Sequence, residues 1–455
     1  MPTDQTVTLA NTESVCPICL ARIPAIKFAT GHDVFMRKTC PDHGEFTVTV
    51  WRGKPSFSDW VRAKIPCYPK VPKNVIEKGC PFDCGLCPDH RQQTCTALLE
   101  VTRRCNLKCS FCFAGSGDYN ADRDPDLGAI ERWYESLNAS GHTCNIQLSG
   151  GEPTVRDDLP QIVALGISMG FKFVQLNTNG IRLANDESYG ERLKEAGLSS
   201  VFLQFDGTSN KVCNALRGRN LLESKLKAIN NCRRWGLGVI LVPTLVPGLN
   251  TNDVGNIIRL AIDHIDIVRG VHFQPVSYFG RYPGNPTDDV RLTLPELMRL
   301  IEEQTSGLVK TDHFRPPGCE NALCSFHGNF VVMPDGKLIS LTRFTPGPPD
   351  RATVTAEAGA SNARSFVSKH WVSASKTDLA DQNSKRLFGE WDTLLQRSIT
   401  HMLCISAMCF QDAWNIDLER LKDCCIHVVS GDGKIIPFCA YNLTGSTGNY
   451  LYRES

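Results

Sequence analysis

Three thiols fall within eight residues of the chain: Cys105, Cys109 and Cys112, in Cys-Asn-Leu-Lys-Cys-Ser-Phe-Cys. This C-x3-C-x2-C spacing lets one tight loop aim all three sulfurs at a single point. An iron–sulfur cube ordinarily takes four cysteines. A cube held by three keeps one iron free for another ligand, as catalytic metal sites keep a position for substrate. A zinc knuckle is the plainer reading of the same spacing. The flanking Phe111 and Phe113 favour the cube, because apolar neighbours shield a cluster and tune its potential.

The other thiol groups differ in how they would close. Cys80-Pro-Phe-Asp-Cys84-Gly-Leu-Cys87 repeats the spacing, but Cys95 follows and supplies a fourth ligand for a closed cube. Cys67 is a spare, read as a buried thiol. Near the start, Cys16-Pro-Ile-Cys19 and Cys40-Pro-Asp-His43 form two turns suited to one tetrahedral zinc or iron ion. A metal-free hairpin is the alternative, since His43 breaks the all-thiol pattern. Late in the chain, Cys319 and Cys324 precede one hairpin signal, and Cys424 and Cys439 flank another. Two thiol-edged hairpins clasping a further cube is the expectation, with Cys404, Cys409 and Cys425 left over. Cys144, Cys213 and Cys232 have no partner spacing and read as core or surface thiols rather than ligands.

So many thiols, 21 in 455 residues, fit a reducing cytoplasm, where cysteines act as ligands or catalysts rather than as disulfides. The first residues lack a secretory signal. The longest apolar run, 237–249, is too short to span a bilayer, so any membrane contact is expected to be peripheral. The balance of 49 Lys and Arg against 48 Asp and Glu argues against wholesale nucleic-acid binding, which needs a basic surface.

The elements that must position these thiols are legible from about residue 97. Strand patterns at 97–102, 144–148, 172–176, 200–205, 238–244 and 270–274 alternate with helical stretches at 125–137, 159–169, 187–196, 222–235 and 252–265. Leu222, Leu226, Ile229 and Cys232 give one helix a buried stripe. Serial β-α units predict an α/β fold, a partial (β/α)6 barrel with a parallel sheet, whose chemistry sits at the C-terminal strand ends. The thiol loop follows strand one, where that rule wants it. Gly150-Gly151-Glu152-Pro153 ends strand two and Asn179 follows strand three. Asp206 closes strand four, Val242 belongs to strand five and Gln274 to strand six. The expected organisation is a rubredoxin- or zinc-ribbon-like module over 1–66 and an auxiliary cluster segment over 67–96. The barrel then spans 97–290, and a C-terminal iron–sulfur domain spans 291–455 with a mobile insertion at 345–380.

The three-thiol loop together with Gly-Gly-Glu-Pro resembles the radical S-adenosylmethionine superfamily over residues 97–280. The resemblance implies a [4Fe–4S] cluster on Cys105, Cys109 and Cys112 whose free iron binds S-adenosylmethionine, yielding a 5′-deoxyadenosyl radical. It implies Gly151 and Glu152 at the amino group, and Phe111 and Val242 beside the adenine. Asn179 and Asp206 become ribose or carboxylate contacts. A narrower resemblance, carried by Cys-Pro-x-Cys, Cys-Pro-Asp-His-Gly and Gly-Cys-Pro-Phe-Asp-Cys-Gly-Leu-Cys-Pro, is to the group containing archaeal tetraether synthase and pterin methyltransferase-like proteins. It implies two auxiliary [4Fe–4S] clusters, one mononuclear iron or zinc, and an electron donor such as ferredoxin or flavodoxin. The leading expectation is carbon–carbon coupling of lipid chains. A pterin methyltransferase comes second, and a non-catalytic electron-transfer protein third.

Overall fold

The computed structural model describes residues 6–117, 124–345, 354–373 and 390–453. Six parallel strands form its spine: Thr96–Thr102, Asn145–Gly150, Val174–Thr178, Ser200–Gln204, Gly238–Val242 and Val268–Pro275. Each pairs in parallel with the next. The C-terminal segment adds a parallel strand at each edge, Met402–Met408 beside Val268–Pro275 and Ile426–Val429 beside Thr96–Thr102. Ser325–Val332 and Leu338–Ser340 extend one edge antiparallel, and Ile435–Pro437 the other. The C-terminal region is thus part of the barrel sheet. Periodicity in the sequence carries no trace of this, because the pairing joins segments separated by most of the chain.

Alternation along the strands divides the sheet into two chemistries. Ile146, Leu148, Leu176, Leu203, Leu241 and Val271 face outward into the main core. Each such burial is worth about 1.5–3 kcal/mol. Gln147, Gln175, Asn177, Gln204, His272 and Gln274 face the interior cavity. A one-residue slip would exchange the two sets, so the register is strongly determined.

The outer face is covered by helices Leu127–Asn138, Leu159–Ser168, Glu187–Glu195, Leu222–Trp235 and Val254–Asp263. Asp126 and Asp186 cap two of them, accepting from the Ala129 and Tyr189 amides at 2.7 and 3.0 Å. Helix Leu294–Gln304 was not anticipated, although Thr293 and Glu296 form a capping box at its start.

The expected mobile insertion is corrected by a helix, Ala356–His370. The rest of that stretch, 346–353 and 374–380, lies outside the described residues. Small residues, which suggested a loop, instead let this helix pack closely. A Cβ at Gly359 would lie 2.0 Å from the Gly318 carbonyl oxygen, and Ala360 is fully buried.

The N-terminal module is a four-stranded antiparallel meander, Thr6–Val15, Arg22–Thr30, Asp33–Cys40 and Gly44–Trp51. It docks on residues 413–417. Buried Lys38 donates to the Ala413 carbonyl at 2.7 Å, while Thr12 and Lys27 both reach Asp417, at 2.6 and 2.7 Å.

Gly359→Val should force helix Ala356–His370 off Gly318 and cost about 1–3 kcal/mol. Urea unfolding measures this as a lower midpoint at unchanged slope, against Ser361→Ala as an exposed control. An unmoved midpoint would show that the close approach does not matter.

Candidate active site and metal centres

The sharpest local constraint lies where strand Asn145–Gly150 ends. The Gly151 amide donates to the Thr102 carbonyl and the Glu152 amide to the Arg104 carbonyl, both at 2.8 Å. A Cβ would lie 2.2 Å from Thr102 O at Gly150 and 2.1 Å from Arg104 O at Gly151. Gly150 also has φ of +131°, which L side chains avoid. Only glycine lets this turn lie flat against the stem of the thiol loop.

The Glu152 carboxylate, almost fully buried, is held on both oxygens. It accepts from the Thr154 and Thr178 hydroxyls at 2.6 Å each and from the Asn179 amide at 2.7 Å. Asn179 in turn donates to Asn106 Oδ1 at 2.7 Å, linking the third strand end to the thiol loop. Cys105, Cys109, Cys112, Phe111, Gly151 and Glu152 all line one cavity of about 630 Å³. That is the size of a site for a cofactor and a small second molecule. Val242, Gly150 and Asn179 line it too.

Asp206 plays a different part from the one implied. It does not line the cavity, and both its oxygens are taken by Arg217, at 2.7 Å each, with the Thr244 amide at 3.1 Å. Arg217 is the group that reaches the cavity, donating to the Phe111 carbonyl at 3.3 Å. Burial lowers the affinity of its guanidinium for a proton, but Asp206 more than reverses this, so Arg217 stays charged. No local spacing marks Arg217. Its helix, Asn210–Arg217, delivers it from outside any motif. Arg281 was missed likewise: it donates to the Cys109 carbonyl at 2.7 Å, and its backbone pairs with Cys112.

Burial pushes the Cys105 thiol up to about 12, with Glu152 and the neighbouring thiols adding to it, and raises Cys112 as well. A cationic cluster is what would hold them as thiolates. Among the described residues, two groups have all their ligand atoms within 4.8 Å of one another: Cys16, Cys19, Cys40 with His43, and Cys95, Cys319 with Cys425. Cys105, Cys109 and Cys112 do not form such a tight group, and a cube distributes its ligands over several irons. The donor set and the glycine floor therefore fit a three-cysteine cluster with its free iron facing the cavity.

The ribbon group has the spacing of a single ion. Cys40 Sγ and Cys16 Sγ lie 3.4 and 3.6 Å from His43 Nδ1. The hydrogen bond with His43 lowers the Cys40 thiol to about 7, whereas burial raises Cys16 to about 11.

The auxiliary thiols are regrouped. Cys80, Cys84 and Cys87 share a loop that Asp83 shapes, its carboxylate accepting from the Glu77, Lys78 and Gly79 amides. Tyr452, from the C-terminal tail, accepts from the Cys84 amide at 2.9 Å and donates to the Pro81 carbonyl at 2.6 Å. Cys95, expected as the fourth ligand here, lies with Cys319 and Cys425 instead, because its amide is bonded in strand register to the Cys425 carbonyl at 2.8 Å. Cys319 is thereby separated from Cys324, Cys424 and Cys439. Cys324 and Cys439 lie near buried Arg420, which donates to Cys324 Sγ at 3.1 Å and to the Cys409 carbonyl at 3.0 Å, and Cys424 lies near those two thiols. Cys67 is half-buried and accepts from Gln93 at 3.1 Å. Cys144, Cys213 and Cys232, left open between core and surface by the sequence, are all buried.

A family model described as the Radical SAM superfamily matches residues 99–261, and one described as the HMPTM N-terminal zinc ribbon domain matches residues 8–52. A curated relative, the 7,8-dihydro-6-hydroxymethylpterin dimethyltransferase of Methanocaldococcus jannaschii, is 38% identical over 95% of this chain and 93% of its own length. The chain belongs to the radical S-adenosylmethionine superfamily. Its likeness to the pterin dimethyltransferase spans the ribbon, both thiol loops and the C-terminal strands. Another curated relative, the Fe-coproporphyrin III synthase of Methanosarcina barkeri, is 29% identical over 54% of this chain and 61% of its own. The solved structure of Streptococcus suis SuiB bound to precursor peptide SuiA matches at 17% identity with a TM-score of 0.40, covering 48% of this chain and 47% of that one. As a radical S-adenosylmethionine enzyme, the chain requires a reductant and a substrate besides its cluster. Among the described residues, no helix is long and apolar enough to cross a membrane.

Asp206→Asn should destabilise the protein without ligand by about 3–5 kcal/mol, since it breaks a buried ion pair. Urea unfolding reads this. If stability stayed at the wild-type level and only S-adenosylmethionine affinity fell, Asp206 would be a direct ligand contact after all.

Proposed function

We propose that the chain is a methyltransferase acting on a pterin-like nitrogen heterocycle. The observation that carries this is the amide lining of the barrel. Gln147 donates to Gln175 Oε1 at 2.7 Å, Gln175 donates to Ser200 Oγ at 2.8 Å, and Asn177 Oδ1 is buried without a partner among the described residues. His272, brought down to about 4 by burial, is neutral and shares a 2.9 Å hydrogen bond with Ser406. An unpaired buried amide oxygen costs roughly 1–3 kcal/mol, which a ring N–H or amino group offsets. A saturated hydrocarbon chain cannot. Phe202, stacked on Trp371 at 6.0 Å and near His272 at 5.5 Å, offers a flat apolar wall to an aromatic ring. The near full-length likeness to the pterin dimethyltransferase supports the same reading over lipid coupling.

On this reading, Cys105, Cys109 and Cys112 hold the cluster that, with S-adenosylmethionine, supplies the 5′-deoxyadenosyl radical. Gly151 and Glu152 receive the amino end of the cofactor, and Phe111 and Val242 border its adenine. Arg217 and Asn179 are placed for its carboxylate or ribose. The inward amides hold the heterocycle and exclude water. Cys80, Cys84 and Cys87 form one auxiliary iron–sulfur site; Cys324, Cys424 and Cys439 form another. A low-potential protein such as ferredoxin or flavodoxin delivers electrons.

Anaerobic reconstitution with a dihydropterin, S-adenosylmethionine, a low-potential reductant and a methyl source (a second S-adenosylmethionine or a one-carbon carrier) should give 5′-deoxyadenosine and a methylated pterin, and Cys109→Ala should give neither. Gln175→Leu should raise the pterin KM by tenfold or more, because a buried hydrogen-bonding site loses a partner. Coupled lipid chains without any methylated pterin would reject this reading in favour of the lipid synthase.

A further inference from the structure

Cys95, Cys319 and Cys425 line the same cavity as the initiating loop, yet no step proposed above uses them. All three are buried, and their sulfurs lie within 4.8 Å of one another. Cys95 immediately precedes strand Thr96–Thr102, and Cys425 immediately precedes Ile426–Val429. These strands are parallel neighbours, so the two sulfurs sit side by side at the start of the sheet. Cys319 completes the group from the loop beneath helix Ala356–His370, its carbonyl fixed by Lys64 Nζ at 2.7 Å. The other end of strand Thr96–Thr102 leads into Cys105. The strand's seven residues span roughly 23 Å, so the two thiol groups occupy opposite ends of the barrel.

We propose that Cys95, Cys319 and Cys425 bind a single tetrahedral divalent ion, zinc or iron(II), whose fourth position faces the barrel cavity.

Spacing separates an ion from a cube. A zinc–sulfur bond of about 2.3 Å sets tetrahedral sulfurs about 3.8 Å apart, whereas a cube distributes its ligands over several metals. The Cys105 loop is not among the groups this narrow; Cys95, Cys319 and Cys425 are, as the ribbon is. Charge agrees. Three thiolates on a divalent ion leave one net negative charge, and the Arg364 guanidinium lies near Cys95 with its Nη1 buried without a partner among the described residues. Cover agrees as well, because the Ala360 carbonyl lies 3.4 Å from Cys95 Sγ. The protein thus supplies three ligands, a counter-charge and a roof. Three protein ligands with an open position are the pattern of a catalytic rather than a structural metal site. At that position's edge stands Glu320, with Oε2 3.7 Å from Cys425 Sγ and its other oxygen held by the Ser325 hydroxyl. The site does not depend on which substrate the enzyme takes.

Zinc, iron and acid-labile sulfide are to be counted on anaerobically purified full-length protein and on Cys95→Ser, Cys319→Ser and Cys425→Ser, with circular dichroism to check folding. Each variant should lose about one ion per chain and no sulfide. Cys424→Ser, next in sequence but outside the group, should keep that ion. Zinc lost identifies zinc; iron lost with a tetrahedral high-spin ferrous Mössbauer signal identifies iron. Loss of about four irons with four sulfides would mean a cube and overturn the proposal, as would no loss of metal. Should no variant fold, zinc-edge X-ray absorption and Mössbauer spectra of the wild type decide. About two single-ion sites per chain, ribbon included, are expected, and one alone refutes the second.

Discussion

The mouth of the barrel depends on backbone pressed against backbone. Two amides of the Gly150–Glu152 turn donate to the carbonyls of Thr102 and Arg104, and there is no room for a side chain at either glycine. This contact sets where the thiol loop leaves its strand. It also sets where Glu152 lies and, through Glu152, the position of Asn179. The third strand end is therefore tied to the first by way of the second. On the proposed reading a cluster and its cofactor would meet at these three strand ends, and their relative placement would rest on a few amides rather than on flexible side chains.

The second constraint is the division of each strand into an apolar outer row and a polar inner row. The outer row supplies the stability and the inner row the recognition. Interior polar groups cost free energy unless they are paired; Gln147 pairs with Gln175, Gln175 with Ser200, and the His272 imidazole with Ser406. Those left over, Asn177 and Asn329 among them, mark where the lining is built for something other than itself. Arg217 makes the same point at the mouth. Asp206 is spent on holding it, and the arginine rather than the carboxylate faces the cavity.

Much of this was legible in the sequence, for identifiable reasons. The six strands and their covering helices follow from local alternation and helical spacing. The three-thiol loop and the glycine turn are short motifs whose geometry is local. What was not legible depends on distant pairing. Cys95 reads as the fourth ligand of the 80–87 loop because it follows closely in sequence. It sits elsewhere because its backbone is paired with Cys425. Arg217, Arg281 and Tyr452 act on the thiol loops from helices, turns and the tail, and no spacing rule connects them. The Ala- and Ser-rich stretch was misread because small residues signal loops by composition, yet they are also what a closely packed helix requires.

Placing the last strands of the chain on both edges of a sheet built from its middle has a consequence for biogenesis. The six central strands can pair as soon as they are synthesised, but until residues 402–437 emerge they present two open edges. Open edges are templates for mispairing between chains, and a topology of such long-range pairings folds slowly. Cys425 and Cys439 arrive with those closing strands, so neither C-terminal thiol group is complete before the edges are covered. On the proposed metal assignments, loading at that end of the molecule would be coupled to the last step of folding, and the full complement of sites would form only once the edges are covered.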